Sequence, residues 1–191
     1  MLKPVLSFPP ELLLLAQGEG PGMKAMIFDV DGVLTDGRIY IGEQGESFKA
    51  FSTLDGHGLK SLQHAGIEPV VITGRDAPGV RRRMADLGIR HALYGIKDKL
   101  AAAETLLAEL GLGWSEVAAM GDDWPDLPLL LRAGLAIAPP GAHAEVLAVA
   151  QHVTRAAAGY GAAREACDLL LVAAGQYGRI FEAHCQTLDG Q

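Results

Sequence analysis

The chain has 191 residues, 49% of them apolar, enough to bury one substantial core at a length near the usual size of a single domain. Its 23 acidic and 16 basic side chains leave a net charge of -7, and no basic run exceeds Arg81-Arg82-Arg83, which argues against nucleic acid and anionic membrane as partners. Cys167 and Cys185 lie far apart and outside any paired histidine spacing, so neither a disulfide scaffold nor a zinc site is indicated.

Taken in chain order, the first apolar run is Leu12 to Leu15. It follows Pro9-Pro10 and Glu11, with no cationic segment or small-residue cleavage site around it. It reads as a short helix over 11–17, begun at Pro10 and ended by the glycines of Gly18-Glu19-Gly20-Pro21-Gly22. Residues 1–22 are expected to form an N-terminal extension and residues 23–191 a single domain. No stretch approaches the roughly 20 apolar residues that cross a bilayer, and a soluble, cytoplasmic protein is expected.

From Lys24 onward, short apolar runs alternate with longer segments of helical period, the pattern of a parallel sheet covered by helices. Strands are predicted over 25–28, 68–72, 91–94, 117–120 and 135–138, and helices near 58–65, 77–87, 99–110, 124–133, 142–150 and 162–174. The fold class is therefore α/β, a Rossmann-like three-layer arrangement with no room for a cap domain. Residues 38–51 break the rhythm and read as a β-hairpin flap, turning at Gly42-Glu43-Gln44-Gly45. Because this flap follows the C-terminal end of the first strand, where open α/β sheets bind ligands, it is placed to shield a site there.

The informative stretch is Phe28-Asp29-Val30-Asp31-Gly32-Val33-Leu34-Thr35-Asp36, which sets two carboxylates two residues apart immediately after an apolar strand. An isolated Asp-x-Asp more often only caps a helix or faces water. Three further signals fall where neighbouring parallel strands would end. Val70-Val71-Ile72 runs into Thr73-Gly74-Arg75, Val117-Ala118-Ala119-Met120 runs into Gly121-Asp122-Asp123, and Lys97-Asp98-Lys99 introduces a helix between them. A hydroxyl, an ammonium and several carboxylates thus converge on one crevice.

With these residues in order, the chain resembles the haloacid dehalogenase superfamily, whose four motifs match Asp29-Val30-Asp31-Gly32-Val33, Thr73, Lys99 and Gly121-Asp122-Asp123. More narrowly, the segment 31–37, the hairpin, Leu54-Asp55-Gly56-His57-Gly58, Ile72-Thr73-Gly74-Arg75 and Ala163-Arg164-Glu165-Ala166-Cys167-Asp168 are similar to the capless 3-deoxy-D-manno-octulosonate 8-phosphate phosphatase family. That resemblance implies a magnesium-dependent sugar acid phosphate phosphatase of lipopolysaccharide biosynthesis, acting as a homotetramer on a small-molecule substrate. A homo-oligomer is also expected because, without a cap, something else must close the crevice.

The implied chemistry accounts for the residue types. Asp29 is the nucleophile that forms a phospho-aspartate, and Asp31 the general acid and then the base. Mg2+ would be held by Asp29, the Asp31 carbonyl and Asp122, while Asp123 and Asp126 either orient that shell or cap the helix starting near Trp124. Thr73 is expected on a phosphoryl oxygen and Lys99 beside it, with Lys97 as the rival lysine. For the sugar acid carboxylate, Arg75 is the first candidate. The resemblance adds Ser52, Thr53, Leu54, Asp55, Gly56, Lys60 and Arg83, of which Lys60 and Arg83 read equally well as solvated helix charges. His57 is read as a histidine in a glycine-flanked turn. One departure is Gly159-Tyr160-Gly161, where the family often carries a basic residue between glycines.

Overall fold

A computed structural model describes residues 3–18 and 22–186. Six strands, β1 (Ala25–Phe28), β4 (Glu68–Ile72), β5 (His91–Leu93), β6 (Val117–Met120), β7 (Leu135–Ala138) and β8 (His152–Val153), pair in parallel in the order β5-β4-β1-β6-β7-β8. A separate antiparallel pair, β2 (Tyr40–Gly42) and β3 (Gly45–Phe48), forms the hairpin. All four residues of β1 are buried, as expected of a strand covered on both faces. Alternation sends Met26 and Phe28 to one face and Ala25 and Ile27 to the other.

Helix α2 (Thr53–His64) and helix α7 (Ala162–Ala173) cover the first face, where Leu59, Leu62, Leu169 and Leu170 meet Met26 and Phe28. On the second face, α4 (Lys99–Leu110) and α6 (Ala144–Val149) bring Ala103, Leu106, Leu107 and Val146 against Ile27, Val70 and Ile72. Helix α1 (Pro10–Gln17) adds Leu12 and Ala16 to the first cluster and stops at Gly18, whose φ of 65° suits glycine. The rest of the predicted terminator, Glu19 to Pro21, lies outside the described residues.

The chain leaves β1 for β4 on one side and returns to β6 on the other, so β1 lies at the point where strand order reverses. Phe28 is level with Val71 and Met120. Asp29, Thr73 and Asp122 therefore emerge along one edge of the sheet.

Several boundaries differ from the sequence reading. Helix α2 begins at Thr53, five residues before 58, because Ser52 caps it by accepting from the Leu54 and Asp55 amides. Gly56 and Gly58 do not break this helix but make room: a Cβ on Gly56 would sit 2.3 Å from an Arg83 nitrogen, and one on Gly58 would sit 3.1 Å from Cys167. His57 accordingly lies inside α2, edge-on to His184 at 5.2 Å between ring centres, and not in a turn. The helix predicted over 124–133 shrinks to a tight turn at Trp124–Asp126 followed by α5 (Leu127–Leu130). Among the elements not foreseen are β8, too short to show a period, and α8 (Tyr177–Gln186), which buries no residue fully. Helix α3 (Pro78–Leu87) starts on Pro78 and ends at the left-handed Gly88.

Candidate active site

Asp29 follows β1 and its amide donates to the Met120 carbonyl of β6 at 3.1 Å. Lys99 opens α4, whose first turn is capped by the Asp98 carboxylate on the Ala101 amide. That start drops the Lys99 ammonium into the crevice, 5% exposed, 2.8 Å from Asp29 Oδ1 and 2.6 Å from Asp126 Oδ1. Lys97 is exposed, so of the two lysines only Lys99 enters the site. The other Asp126 oxygen accepts from the Asp122 amide at 3.1 Å and the Asp123 amide at 3.4 Å, holding the turn after β6. Asp123 is exposed and accepts from the Trp124 amide, the capping arrangement left open for it above.

Carboxylate oxygens of Asp29, Asp122 and Asp126 all lie within 4.8 Å of one another. Burial, then the neighbouring Asp126 charge, pushes Asp29 up to about 6 despite Lys99. Asp122 is pushed up to about 7 by burial and by the charges of Asp29, Asp126 and Asp123. Burial pulls the Lys99 ammonium down, but Asp29 and Asp126 outweigh it and its pKa is raised. One lysine thus serves three crowded carboxylates, and the surplus negative charge fits a hard divalent cation with oxygen ligands. Asp126 already spends both oxygens on Lys99 and the two amides, which leaves Asp29 and Asp122 as the open carboxylates. Gly32 is cut to this shape. Its φ is 87°, and a Cβ there would lie 2.0 Å from Asp122 Oδ2.

Thr73, 2% exposed at the end of β4, takes the Arg75 amide on its hydroxyl at 3.3 Å. Ser52 accepts from Arg83 through its carbonyl at 3.3 Å, while the Arg83 Nε is buried without a hydrogen-bond partner. Thr53, Leu54 and Ser52 line a cavity of about 430 Å³ with Asp36 and Tyr160. Tyr160 also lines a cavity of about 360 Å³ beside Gly32 and Asp122. Lys60 is exposed and makes no ion pair among the described residues. The Asp55 carboxylate is 2% exposed and accepts from the Gly161 and Arg164 amides at the start of α7. Its side chain is therefore committed to the fold, whatever its main chain contacts.

The sequence reading passed over two hairpin residues that the fold brings to this edge, Lys49 and Glu46. The Lys49 ammonium lies 2.5 Å from Asp31 Oδ1 and 2.9 Å from Glu46 Oε1, and Arg75 donates to Glu46 Oε2 at 2.6 Å. Hydrogen bonds from Arg75 and Lys49 pull Glu46 below its usual range. Burial alone would lower Lys49, yet Asp31 and Glu46 raise it. The available signal was spacing: Glu46 and Lys49 flank the strand end that folds back toward Asp31.

The region 94–165 matches the model for haloacid dehalogenase-like hydrolases. The chain is 46% identical over 166 residues to the 3-deoxy-D-manno-octulosonate 8-phosphate phosphatase KdsC of Escherichia coli, covering 87% of each. A probable YrbI family phosphatase from Pseudomonas syringae pv. phaseolica superposes with a TM-score of 0.87 at 44% identity, over 96% of this chain and 100% of that one. The 3-deoxy-D-manno-octulosonate 8-phosphate phosphatase from Moraxella catarrhalis, in complex with magnesium ion, phosphate ion and KDO, superposes with a TM-score of 0.86 at 37% identity, over 91% and 98%. With identity at this level across most of its length, the chain belongs to the 3-deoxy-D-manno-octulosonate 8-phosphate phosphatase family of the haloacid dehalogenase-like hydrolases.

Proposed function

We propose that this protein hydrolyses 3-deoxy-D-manno-octulosonate 8-phosphate to the free sugar acid and phosphate, in lipopolysaccharide biosynthesis, through a phospho-aspartate on Asp29. The observation that carries the reading is a carboxylate at the central strand's end, ringed by Lys99 and Asp122, in a chain 46% identical to a phosphatase for that substrate. A carboxylate oxygen of Asp29 attacks phosphorus. The bond from phosphorus to the sugar oxygen breaks, its electron pair leaves with that oxygen, and Asp31 supplies the proton. Water then attacks phosphorus and passes a proton to Asp31, while the electron pair of the acyl phosphate bond returns to Asp29.

Asp29, Asp122 and the Asp31 main-chain carbonyl would hold magnesium, which when bound supplies positive charge to the phosphoryl oxygens. Thr73 and Lys99 take the remaining phosphoryl oxygens, and Lys99 keeps Asp29 in line. Asp126 acts on the phosphate only through Lys99 and the Asp122 amide, and Asp123 only through the turn it caps. The sugar acid carboxylate falls to Arg75, 45% exposed at the crevice mouth, with the 52–56 rim, Arg83 and Lys60 around the sugar. The test is turnover on a panel of sugar phosphates with and without magnesium. The highest kcat/KM is expected on the eight-carbon substrate. Preference for a nine-carbon sugar acid phosphate would overturn the substrate, and no turnover of any ester would overturn the reaction.

We also propose a homotetramer. The hairpin turns Ile39, Ile41 and Phe48 outward at 46%, 71% and 59% exposure, an apolar surface that a second copy would cover. Light scattering on the protein and on a variant with Ile41→Asp and Phe48→Asp checks this: the variant should lose mass, and a monomeric parent rules the assembly out. Among the described residues no helix is long and apolar enough to cross a membrane. The two unpaired thiols are those of a protein kept in a reducing compartment, and we place the reaction in the cytoplasm.

A further inference from the structure

A lysine on a two-stranded hairpin ordinarily keeps its ammonium in water. Lys49 does not: its side chain is 2% exposed. Burying an ammonium is costly unless charges meet it, and two carboxylates do, Asp31 on one side and Glu46 on the other. Glu46 is itself gripped by Arg75, whose Nε also lies 3.7 Å from Asp31 Oδ2. The row Arg75, Glu46, Lys49, Asp31 therefore ties the hairpin to the loop after β1.

The two oxygens of Asp31 are not treated alike. Oδ1 takes the Lys49 ammonium and, at 3.4 Å, the Thr35 hydroxyl. Oδ2 is buried and accepts no hydrogen bond. We propose that Lys49 is a positioning residue for Asp31: by fixing Oδ1 it orients the carboxyl so that Oδ2 is the atom exchanging the proton with the leaving sugar oxygen. This rests on the reading of Asp31 as the general acid. It makes the hairpin part of the catalytic arrangement and not only a cover for it. Glu46 acts one step further back by holding Lys49.

Leaving-group dependence separates this role from a structural one. Protonation matters for an alkyl oxygen and little for a good aryl leaving group, so kcat/KM is compared on benzyl phosphate and p-nitrophenyl phosphate, neither of which carries a carboxylate for Arg75. Lys49→Met should cost about 100-fold on the alkyl ester and less than about fivefold on the aryl ester. Lys49→Arg should recover part of the alkyl rate, and Glu46→Gln should show the same selective loss on a smaller scale. Equal losses on both esters, or no loss on either, would overturn the proposal. Asp31→Asn in the same assay keeps the two readings apart. If Asp31→Asn also fails to discriminate, the general acid is misassigned; if it discriminates and Lys49→Met does not, only the role of Lys49 falls.

Discussion

The crevice has a floor and a roof built on different principles. On the floor, Asp29, Lys99, Asp122 and Asp126 stand near strand ends and helix starts, Lys99 and Asp126 buried and Asp29 and Asp122 half-buried. On the roof, Glu46, Lys49, Arg75 and Tyr160 belong to a hairpin and loops, and two of the four are largely exposed. The floor is tied to the sheet and to one buried lysine, whereas the roof reaches the site through a two-stranded hairpin and loops. In the proposed reading the nucleophile and its cation are thereby anchored to strand ends and helix starts, while the hairpin and loops carry recognition and, through Lys49, the orientation of Asp31.

If this division holds, damage to the floor must exceed damage to the roof by orders of magnitude. Asp29→Asn should lower kcat by about 10,000-fold or more, read as phosphate release, since the proposed nucleophile has no substitute. Chelating the divalent cation should abolish turnover, and adding magnesium back should restore it; activity in excess EDTA would break the comparison at its deepest point. Lys99→Met leaves Asp29 and Asp126 uncompensated and should destabilise the fold by about 3 kcal/mol, measured by denaturant titration. Roof variants should cost less: Tyr160→Ala should raise KM for the sugar acid phosphate by about fivefold with kcat nearly unchanged, the value of one hydrogen bond or edge contact.

A pH prediction sharpens the same contrast. Asp29 and Asp122 are raised to about 6 and about 7 in the folded, metal-free protein, above the ordinary 3.8. The folded state therefore binds more protons than the unfolded one between those values, and the stability these groups contribute is lost as pH rises from about 4 to about 7. In EDTA the melting temperature should fall across pH 5 to 7.5, and magnesium should raise it more at pH 7.5 than at pH 5. Asp122→Asn should flatten the metal-free slope. Glu46, whose folded pKa is lowered, contributes in the opposite sense, with stability lost only as pH falls below the ordinary carboxylate range.

Most of the floor was legible in the sequence because its groups follow an apolar run closely or open a capped helix, so local patterning places them; Asp126, inside the turn after β6, had no such mark and its pairing with Lys99 came only from the fold. Asp29 after Ala25–Phe28, Thr73 after Val70 to Ile72 and Lys99 after its Asp98 cap needed only the rule that parallel strands end together. Of the roof, Arg75 and Tyr160 were marked by their motifs, but Lys49 and Glu46 were not, because they look like any charged hairpin pair until the chain folds back to Asp31, a contact spanning 18 residues. The same non-locality hid the start of α2. Gly56 and Gly58 look like breakers in isolation, and only the proximity of Arg83 and Cys167 explains why glycine sits inside a helix.

The grip of Asp55 on the first amides of α7 joins positions 106 and 109 residues apart. A nascent chain that has emerged only as far as β7 already carries Asp29, Thr73, Lys99 and Asp122, yet the rim at 52–56 still lacks its anchor. The proposed sugar-binding rim is thus completed only when the C-terminal part of the chain docks, and a ribosome-stalled fragment ending at β7 would carry the proposed reactive carboxylates without that anchor.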